Sequence, residues 1–265
     1  MRGPLFALFC ALAPMALTPM ALAPMARAQE AAPVIAAAAD LQFVVTEIAA
    51  NFTEDTGMQV QLTFGSTGNF ARQIREGAPF QMFMAADESF VTDLHKDGFT
   101  KDDGALYGIG RIVMMVPKGA PLAADGSLAS LKAALDAGTL QHFAIANPDH
   151  APYGKRAKEA LQSQGLWDRL QPYLVLGENV SQAAQFALSG DAQGGIIAYS
   201  LALAPEIAPL GDYDLIPADW HDPLRQRMVL LNGAGTVAQA FYSYLQQPKA
   251  RAILDRFGFA LPEGS

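Results

Sequence analysis

The chain has 265 residues, with 18 Lys or Arg against 26 Asp or Glu and a formal net charge of −8 at pH 7. An acidic chain without a basic run is unsuited to nucleic acid, which proteins bind through clusters of Lys and Arg. The length is sufficient for one large domain or two compact lobes.

The first 28 residues have the pattern of a secretory signal peptide. Arg2 precedes a nearly unbroken apolar run, and Ala26, Arg27 and Ala28 form a small-x-small cleavage pattern. Prolines within the run argue against a membrane-spanning helix, so a retained anchor is the weaker alternative. We expect a mature chain of about 237 residues that begins near Gln29, lacks Cys10 and is exported in soluble form to the periplasm.

From residue 33 to residue 98 the chain alternates between predicted strands and predicted helices. Period-two or continuous apolar runs predict strands at 33–39, 58–64 and 79–86. Apolar residues at helical spacing predict helices at 41–57, 70–77 and 88–98. This rhythm predicts an α/β fold, in which helices flank a mostly parallel sheet.

A second alternating set follows. Its predicted strands are 111–119, 142–148, 173–179 and 194–202, and its predicted helices are 128–140, 154–170 with a break at Gly165, and 180–191. A proline-rich section at 205–217 predicts a loop, and a strand at 225–233 and a helix or helix pair at 236–258 close the chain. Because the closing unit is too short to bury a core alone, we expect it to return to the first lobe. The predicted domains are a signal peptide (1–28), lobe 1 (29–110), lobe 2 (111–225) and a return segment of lobe 1 (226–265).

Four junctions between a predicted strand and the next helix carry small polar residues suited to an anion. They are 39–40, 65–69, 148–154 and 177–180. Free backbone N–H groups at helix starts are donors with a partial positive charge, and several together bind an anion without Lys or Arg. The hydroxyls of Ser66 and Thr67 would add donors. The alternative for each junction alone is that Asp40, Ser66, Thr67 or Asn69 only caps its own helix.

The sequence contains none of the common catalytic signatures, such as GxSxG, GxxxxGK[ST], HExxH or GxGxxG after a strand. Its four histidines are scattered, and none has a metal-ligand spacing with another. We therefore predict a binding protein rather than an enzyme, without a cofactor and without direct metal-ion ligands.

Six segments occur together along the mature chain: AAAADL (36–41), FGSTGNFARQIREGAPF (64–80), FMAADE (83–88), ANPDHAPYGKRAKEAL (146–161), GENVSQA (177–183) and FYSYLQQPKARAILDRFGF (241–259). As a set they resemble the periplasmic molybdate-binding proteins of bacterial ABC transporters, the ModA family. The resemblance implies a two-lobed type II periplasmic binding protein with its ligand in the cleft between the lobes. It implies capture of molybdate or tungstate by a monomer, which delivers the oxyanion to an inner-membrane ABC permease (ModB-like) with its cytoplasmic ATPase.

The resemblance also implies which residues contact the oxyanion. They are Ala39 and Asp40 at the first junction, Thr67 with Ser66 beside it at the second, the backbone amides of Tyr153 and Val180, and a phenol from Tyr199 or Tyr153.

Two residues depart from the family pattern at the first junction. Ala39 supplies no hydroxyl, and an ionised Asp40 close to a dianion in a cleft of low dielectric would cost several kcal/mol. One interpretation is that Asp40 turns away and caps its helix, so that only backbone N–H groups meet the ligand. The other is that the ligand is a different small anion, or a zwitterion whose cationic group meets Asp40.

Overall fold

The structure is a computed structural model that describes residues 31–262. The predicted signal peptide, its cleavage site and Cys10 lie outside the described residues. No helix within the described range is both long enough and apolar enough to span a membrane.

The first half of the described chain alternates between strand and helix as the sequence predicts. Its elements are β1 (Val34–Ala38), α1 (Gln42–Thr56), β2 (Gln61–Gly65), α2 (Thr67–Arg75), β3 (Met82–Ala85), α3 (Glu88–Lys96) and β4 (Ala105–Gly110). A single 3-10 turn, Ala39–Leu41, joins β1 to α1. Helix α1 ends at Gly57, which adopts the left-handed conformation (φ 71°) that favours glycine at a helix end.

The second half contains more short elements than the sequence predicts. They are β5 (Ile112–Pro117), α4 (Ala129–Asp136), β6 (Phe143–Ala146), α5 (Pro152–Ser163), α6 (Trp167–Leu170), β7 (Leu174–Gly177), α7 (Val180–Leu188), β8 (Gly195–Ala198), α8 (Tyr199–Ala202), β9 (Gly211–Leu215), β10 (Leu224–Leu230), α9 (Thr236–Tyr244) and α10 (Pro248–Arg256). The predicted break at Gly165 separates α5 from α6, and the closing helix is a pair in which Pro248 begins α10.

The strands form two five-stranded sheets that define two lobes. The first has the order β2-β1-β3-β10-β4 and the second the order β7-β6-β8-β5-β9. Strand β10 pairs antiparallel with β3 and β4, and β5 pairs antiparallel with β8 and β9, while β1 to β3 and β6 to β8 pair in parallel. Each sheet therefore has four strands in one direction and one opposed strand, which is a mostly parallel sheet.

Helices cover both faces of the first sheet. In β1, Ile35 and Ala37 belong to one hydrophobic cluster and Ala36 to a second cluster, in which Phe70 of α2 and Leu94 of α3 also lie. A strand buried on both faces has a continuous apolar run, as β1 does. Sheets of this kind bind ligands beyond the carboxyl ends of their strands.

Three local predictions were wrong. The predicted strand at 194–202 ends at Ala198, where α8 begins. Strand β4 was not predicted, and β9 lies in the section predicted as a loop. Both are edge strands. An edge strand buries less of its surface than a central one and therefore shows a weaker apolar pattern.

Candidate ligand-binding site

A small cavity lies at the carboxyl ends of β1 and β2 of the first lobe and of β6 and β7 of the second. The enclosed space is small, so this cavity suits a small ion or molecule rather than a drug-sized ligand. Its lining comes from both lobes: Ala38, Ala39, Asp40, Gly65, Ser66, Thr67, Ala86, Ala151, Pro152, Tyr153, Asn179 and Val180.

The structure brings six of the seven residues predicted for the site around this cavity: Ala39, Asp40, Ser66, Thr67, Tyr153 and Val180. Tyr199 does not line it. Its backbone N–H donates to the carbonyl of Arg111 at 2.9 Å, and its ring packs against Tyr213 with 5.7 Å between the ring centroids. Tyr199 is the first residue of α8, and its backbone N–H and its ring both make contacts away from the cavity. The geometry therefore does not support the prediction of a ligand contact by the Tyr199 phenol.

Three helices begin at the cavity and supply backbone donors. Thr67 is the first residue of α2, Tyr153 the second of α5 and Val180 the first of α7. The first N–H groups of a helix lack an acceptor within the helix and carry a partial positive charge. None of the twelve lining residues is Lys or Arg. The backbone amides, and not charged side chains, therefore supply the positive potential of the site.

The two hydroxyls of the second junction, those of Ser66 and Thr67, differ in their hydrogen-bond partners. Thr67 Oγ1 accepts a hydrogen bond from the backbone N–H of Ala86 at 3.1 Å, which leaves the hydroxyl proton of Thr67 for another acceptor. The Ser66 hydroxyl donates to the backbone carbonyl of His150 at 2.6 Å and lies 2.8 Å from its Nδ1. Thr67 is thus equipped to donate to a ligand, whereas Ser66 holds the loop of the second lobe.

Neither hydroxyl caps its helix, so the cap-only interpretation was wrong for this junction. Ser66 occupies the N-cap position of α2 but makes no side-chain cap bond. Asn69 donates across the cleft to Glu178 instead of capping. The side-chain cap at this cavity belongs to Asn179, which accepts from the N–H of Gln182 at 3.0 Å and was not predicted.

Direct contacts hold the two lobes together around the cavity. The Ser181 hydroxyl donates to the carbonyl of Ala39 at 2.9 Å, and the Ser200 hydroxyl donates to the carbonyl of Asp40 at 2.8 Å. The Arg156 guanidinium, which is almost fully buried, pairs with Asp87 beyond β3 at 2.7 Å. The described structure is therefore a closed arrangement, in which the lobes meet on several sides of the site.

One interpretation predicted that Asp40 caps its helix, but its side chain makes no cap hydrogen bond. Its carboxylate Oδ2 accepts from the Tyr153 hydroxyl at 3.0 Å and from Gln226 Nε2 at 2.8 Å, because both donors lie beside it in the interior. Asp40 is 1% exposed, and its other oxygen, Oδ1, is buried without a hydrogen-bond partner. Burial raises the pKa of Asp40 from 3.8 to about 6, and the hydrogen bonds from Gln226 and Tyr153 limit that rise.

The hydrogen bonds around Asp40 also occupy the hydroxyl of Tyr153. The hydroxyl donates to Asp40 and accepts from Gln226 Nε2 at 3.0 Å, so the backbone N–H of Tyr153 is the group left for a ligand. Gln226 was missed by sequence reasoning, although β10 carries a signal. Leu224, Gln226 and Met228 alternate on the buried face of the strand, and a fully buried polar residue among them requires polar partners.

Within residues 31–262 no group of three or more His, Cys, Asp or Glu side chains is arranged to hold a metal ion. The donors at the cavity are N–H groups and one hydroxyl, which suit the oxygens of an anion rather than a bare cation.

Comparisons with known proteins give the chain a family. A sequence model described as bacterial extracellular solute-binding protein matches residues 33–260. The molybdate-binding protein ModA of Rhodobacter capsulatus is 35% identical, with 85% of this chain and 87% of that protein covered. ModA of Azotobacter vinelandii is also 35% identical, with 88% and 92% covered. The solved structure of the Azotobacter vinelandii periplasmic molybdate-binding protein superposes with a TM-score of 0.79 at 29% identity, with 87% of this chain and all of that chain covered.

Proposed function

The chain belongs to the bacterial extracellular solute-binding proteins and, within them, to the ModA family, and on this premise we propose that it captures molybdate between its two lobes for an ABC transporter. The observation that carries the proposal is the convergence of the starts of α2, α5 and α7 on one small cavity. Tungstate, which has the same charge and shape, is proposed as a second ligand.

The chemistry of the cavity suits a tetrahedral dianion. Molybdate arrives with four oxygens that accept hydrogen bonds, and the amides of Thr67, Tyr153 and Val180 with the Thr67 hydroxyl offer donors from both lobes. Since the donors are fixed by three helix starts, oxygen spacing selects the ligand by size. The molybdenum itself stays enclosed by its own oxygens and needs no protein ligand.

The role of such a protein is binding and delivery rather than catalysis. Closure of two lobes on a ligand creates a shape that differs from the open form, and a permease distinguishes the loaded protein by that difference. We propose that a monomer acts in the periplasm and presents molybdate to an inner-membrane permease that is coupled to a cytoplasmic ATPase.

Isothermal titration calorimetry on protein stripped of bound anions tests the proposal. We expect a one-to-one complex with molybdate and with tungstate, and much weaker binding of the smaller sulfate. Thermal unfolding in the presence of each anion gives an independent measure, because a ligand that binds only the folded state raises Tm. An absence of both heat and a Tm shift with molybdate and tungstate would contradict the proposal.

A further inference from the structure

One carboxylate oxygen of a residue that lines the cavity has no hydrogen-bond partner. Asp40 lines the cavity, its Oδ2 has two donors, and its Oδ1 is buried without any. Buried carboxylate oxygens are normally hydrogen-bonded, so an unpartnered oxygen on a residue that lines a ligand cavity points to a partner that arrives with the ligand. An oxyanion, however, brings acceptors only.

The groups that face Asp40 do not neutralise a charge on it. Tyr153 of α5 and Gln226 of β10 donate to Oδ2, and Ser200 of α8 donates to the backbone carbonyl. Tyr107 of β4 donates to Gln226 Oε1 at 2.7 Å. Burial and the nearby Asp40 carboxylate raise the pKa of Tyr107 and Tyr153 well above 10, so both phenols stay neutral. Asp40 takes part in none of the ion pairs found among residues 31–262.

We propose that Asp40 binds the oxyanion as a neutral carboxylic acid, whose Oδ1–H donates a hydrogen bond to one ligand oxygen, and that one proton is therefore taken up from solvent as the anion binds. This inference rests on the proposed function, since it concerns an anion in the same cavity. The proton balance is simple: an ionised Asp40, one proton and an unprotonated dianion give a protonated Asp40 hydrogen-bonded to the dianion.

Two arguments support this assignment over an ionised Asp40. An ionised carboxylate within hydrogen-bond distance of a dianion would repel it in a buried site, and protonation converts that repulsion into a donor–acceptor contact. Asp40 can also take up this proton near neutral pH, because burial already raises its pKa to about 6 before any anion is present. A neighbouring dianion raises that pKa further.

The Asp40→Asn variant is the matched control. An Asn carbonyl still accepts from Tyr153 and Gln226, and its amide donates where Oδ1–H would, without any proton from solvent. At pH 6, where part of the unmodified protein already carries the proton, the two proteins should differ less in their Kd for molybdate than at pH 8. At pH 8 the variant should bind more tightly, because the unmodified protein must first take up a proton.

Calorimetry with molybdate at pH 8 in two buffers of different ionisation enthalpy counts the protons. We expect close to one proton taken up by the unmodified protein and none by Asp40→Asn. Between pH 6.5 and pH 8.5 the Kd of the unmodified protein should rise by up to about tenfold per pH unit, while that of the variant stays flat. Asp40→Ala, which has no donor, should bind more weakly than Asp40→Asn and also take up no proton.

Several results would overturn the inference. Molybdate binding without proton uptake and with a pH-independent Kd would leave the proposed function intact but remove the acid from it. Equal proton uptake in Asp40→Asn would place the proton elsewhere. Tighter binding of phosphate than of molybdate would assign Asp40 as an acceptor for a protonated anion. A failure of both proteins to bind molybdate or tungstate at any pH from 6 to 8.5 would instead contradict the proposed function, and this inference with it.

Discussion

The Ser66 hydroxyl donates a hydrogen bond to the backbone carbonyl of His150 across the cleft, with 2.6 Å between the two oxygens. The N–H of Gly68 donates to the same carbonyl at 3.0 Å. One carbonyl of the second lobe thus receives two donors from the start of α2 in the first lobe. This contact closes the cavity beside Thr67 and makes the closed form sensitive to the size of residue 68.

Gly68→Ala should weaken molybdate binding by at least tenfold. A Cβ at position 68 would lie 2.6 Å from the carbonyl oxygen of His150, which is too close, so the lobes could not close as described. The first lobe itself should tolerate the change, because Ala favours a helix more than Gly does. Gly233→Ala is the matched control, since a Cβ there meets nothing within 4 Å. Calorimetry measures both; unchanged affinity in Gly68→Ala would show that this contact does not form in the bound state.

Thr67→Val should weaken molybdate binding by about 1–2 kcal/mol, or roughly 5- to 30-fold in Kd, because the side chain keeps its shape but loses the hydroxyl that can donate to the anion. The change also leaves the buried N–H of Ala86 without its acceptor, so Tm should fall. Thr67→Ser keeps both hydrogen bonds and should bind nearly as tightly as the unmodified protein. Full affinity in Thr67→Val would contradict the donor role of the hydroxyl, because this variant keeps the methyl group and lacks only the hydroxyl.

Tyr199→Phe should leave molybdate affinity within about twofold, because Tyr199 lies against Tyr213 and not at the cavity. Tyr153→Phe should also retain binding, since its backbone N–H is kept. Loss of the phenol removes a donor from Asp40, which raises the pKa of that carboxyl further. Calorimetry at pH 6 makes the comparison. A loss of more than tenfold in Tyr199→Phe would contradict the placement of that residue.

Much of the fold follows from local patterns in the sequence. The apolar runs of β1, β3 and β5 are buried on both faces, and such runs are readable without knowledge of their neighbours. Strand β9, with sequence GDYDL, was not readable in this way, because its aspartates face outward and it pairs with β5 alone. Its place in the sheet depends on a partner about 100 residues earlier in the chain, which no local pattern reports.

In the site, too, local features were predictable from the sequence and long-range contacts were not. Thr67 and Val180 lie at junctions that were predicted from a local signal, a helix start after a strand, and the resemblance to the ModA family implied their contact with the ligand. The surroundings of Asp40 were not predicted, because Gln226 is separated from it by 186 residues and Tyr153 by 113. Long-range partners of this kind decide whether a carboxylate caps a helix, repels an anion or carries a proton.

In the absence of ligand, Asp40→Asn should raise the free energy of unfolding at pH 8 by up to about 3 kcal/mol, the equivalent of a pKa shift from 3.8 to about 6. Because the folded protein binds this proton more tightly than the unfolded chain, the contribution of Asp40 is favourable below about pH 4 and is lost as pH rises through 6. The difference between variant and unmodified protein should therefore be largest above pH 6 and shrink towards pH 4. Urea denaturation at pH 4.5, 6 and 8 measures it.

Asp55→Asn supplies the control of opposite sign. Hydrogen bonds from Lys249 and Tyr244 lower the pKa of Asp55, so its contribution is present above pH 4 and is lost as pH falls through the folded-state pKa. Asp55→Asn should therefore lower stability at pH 8, and the loss should shrink in acid. If Asp40→Asn instead behaved like Asp55→Asn, the Asp40 carboxylate would be stabilised by its neighbours in the folded protein, and burial would not be the dominant influence on its charge.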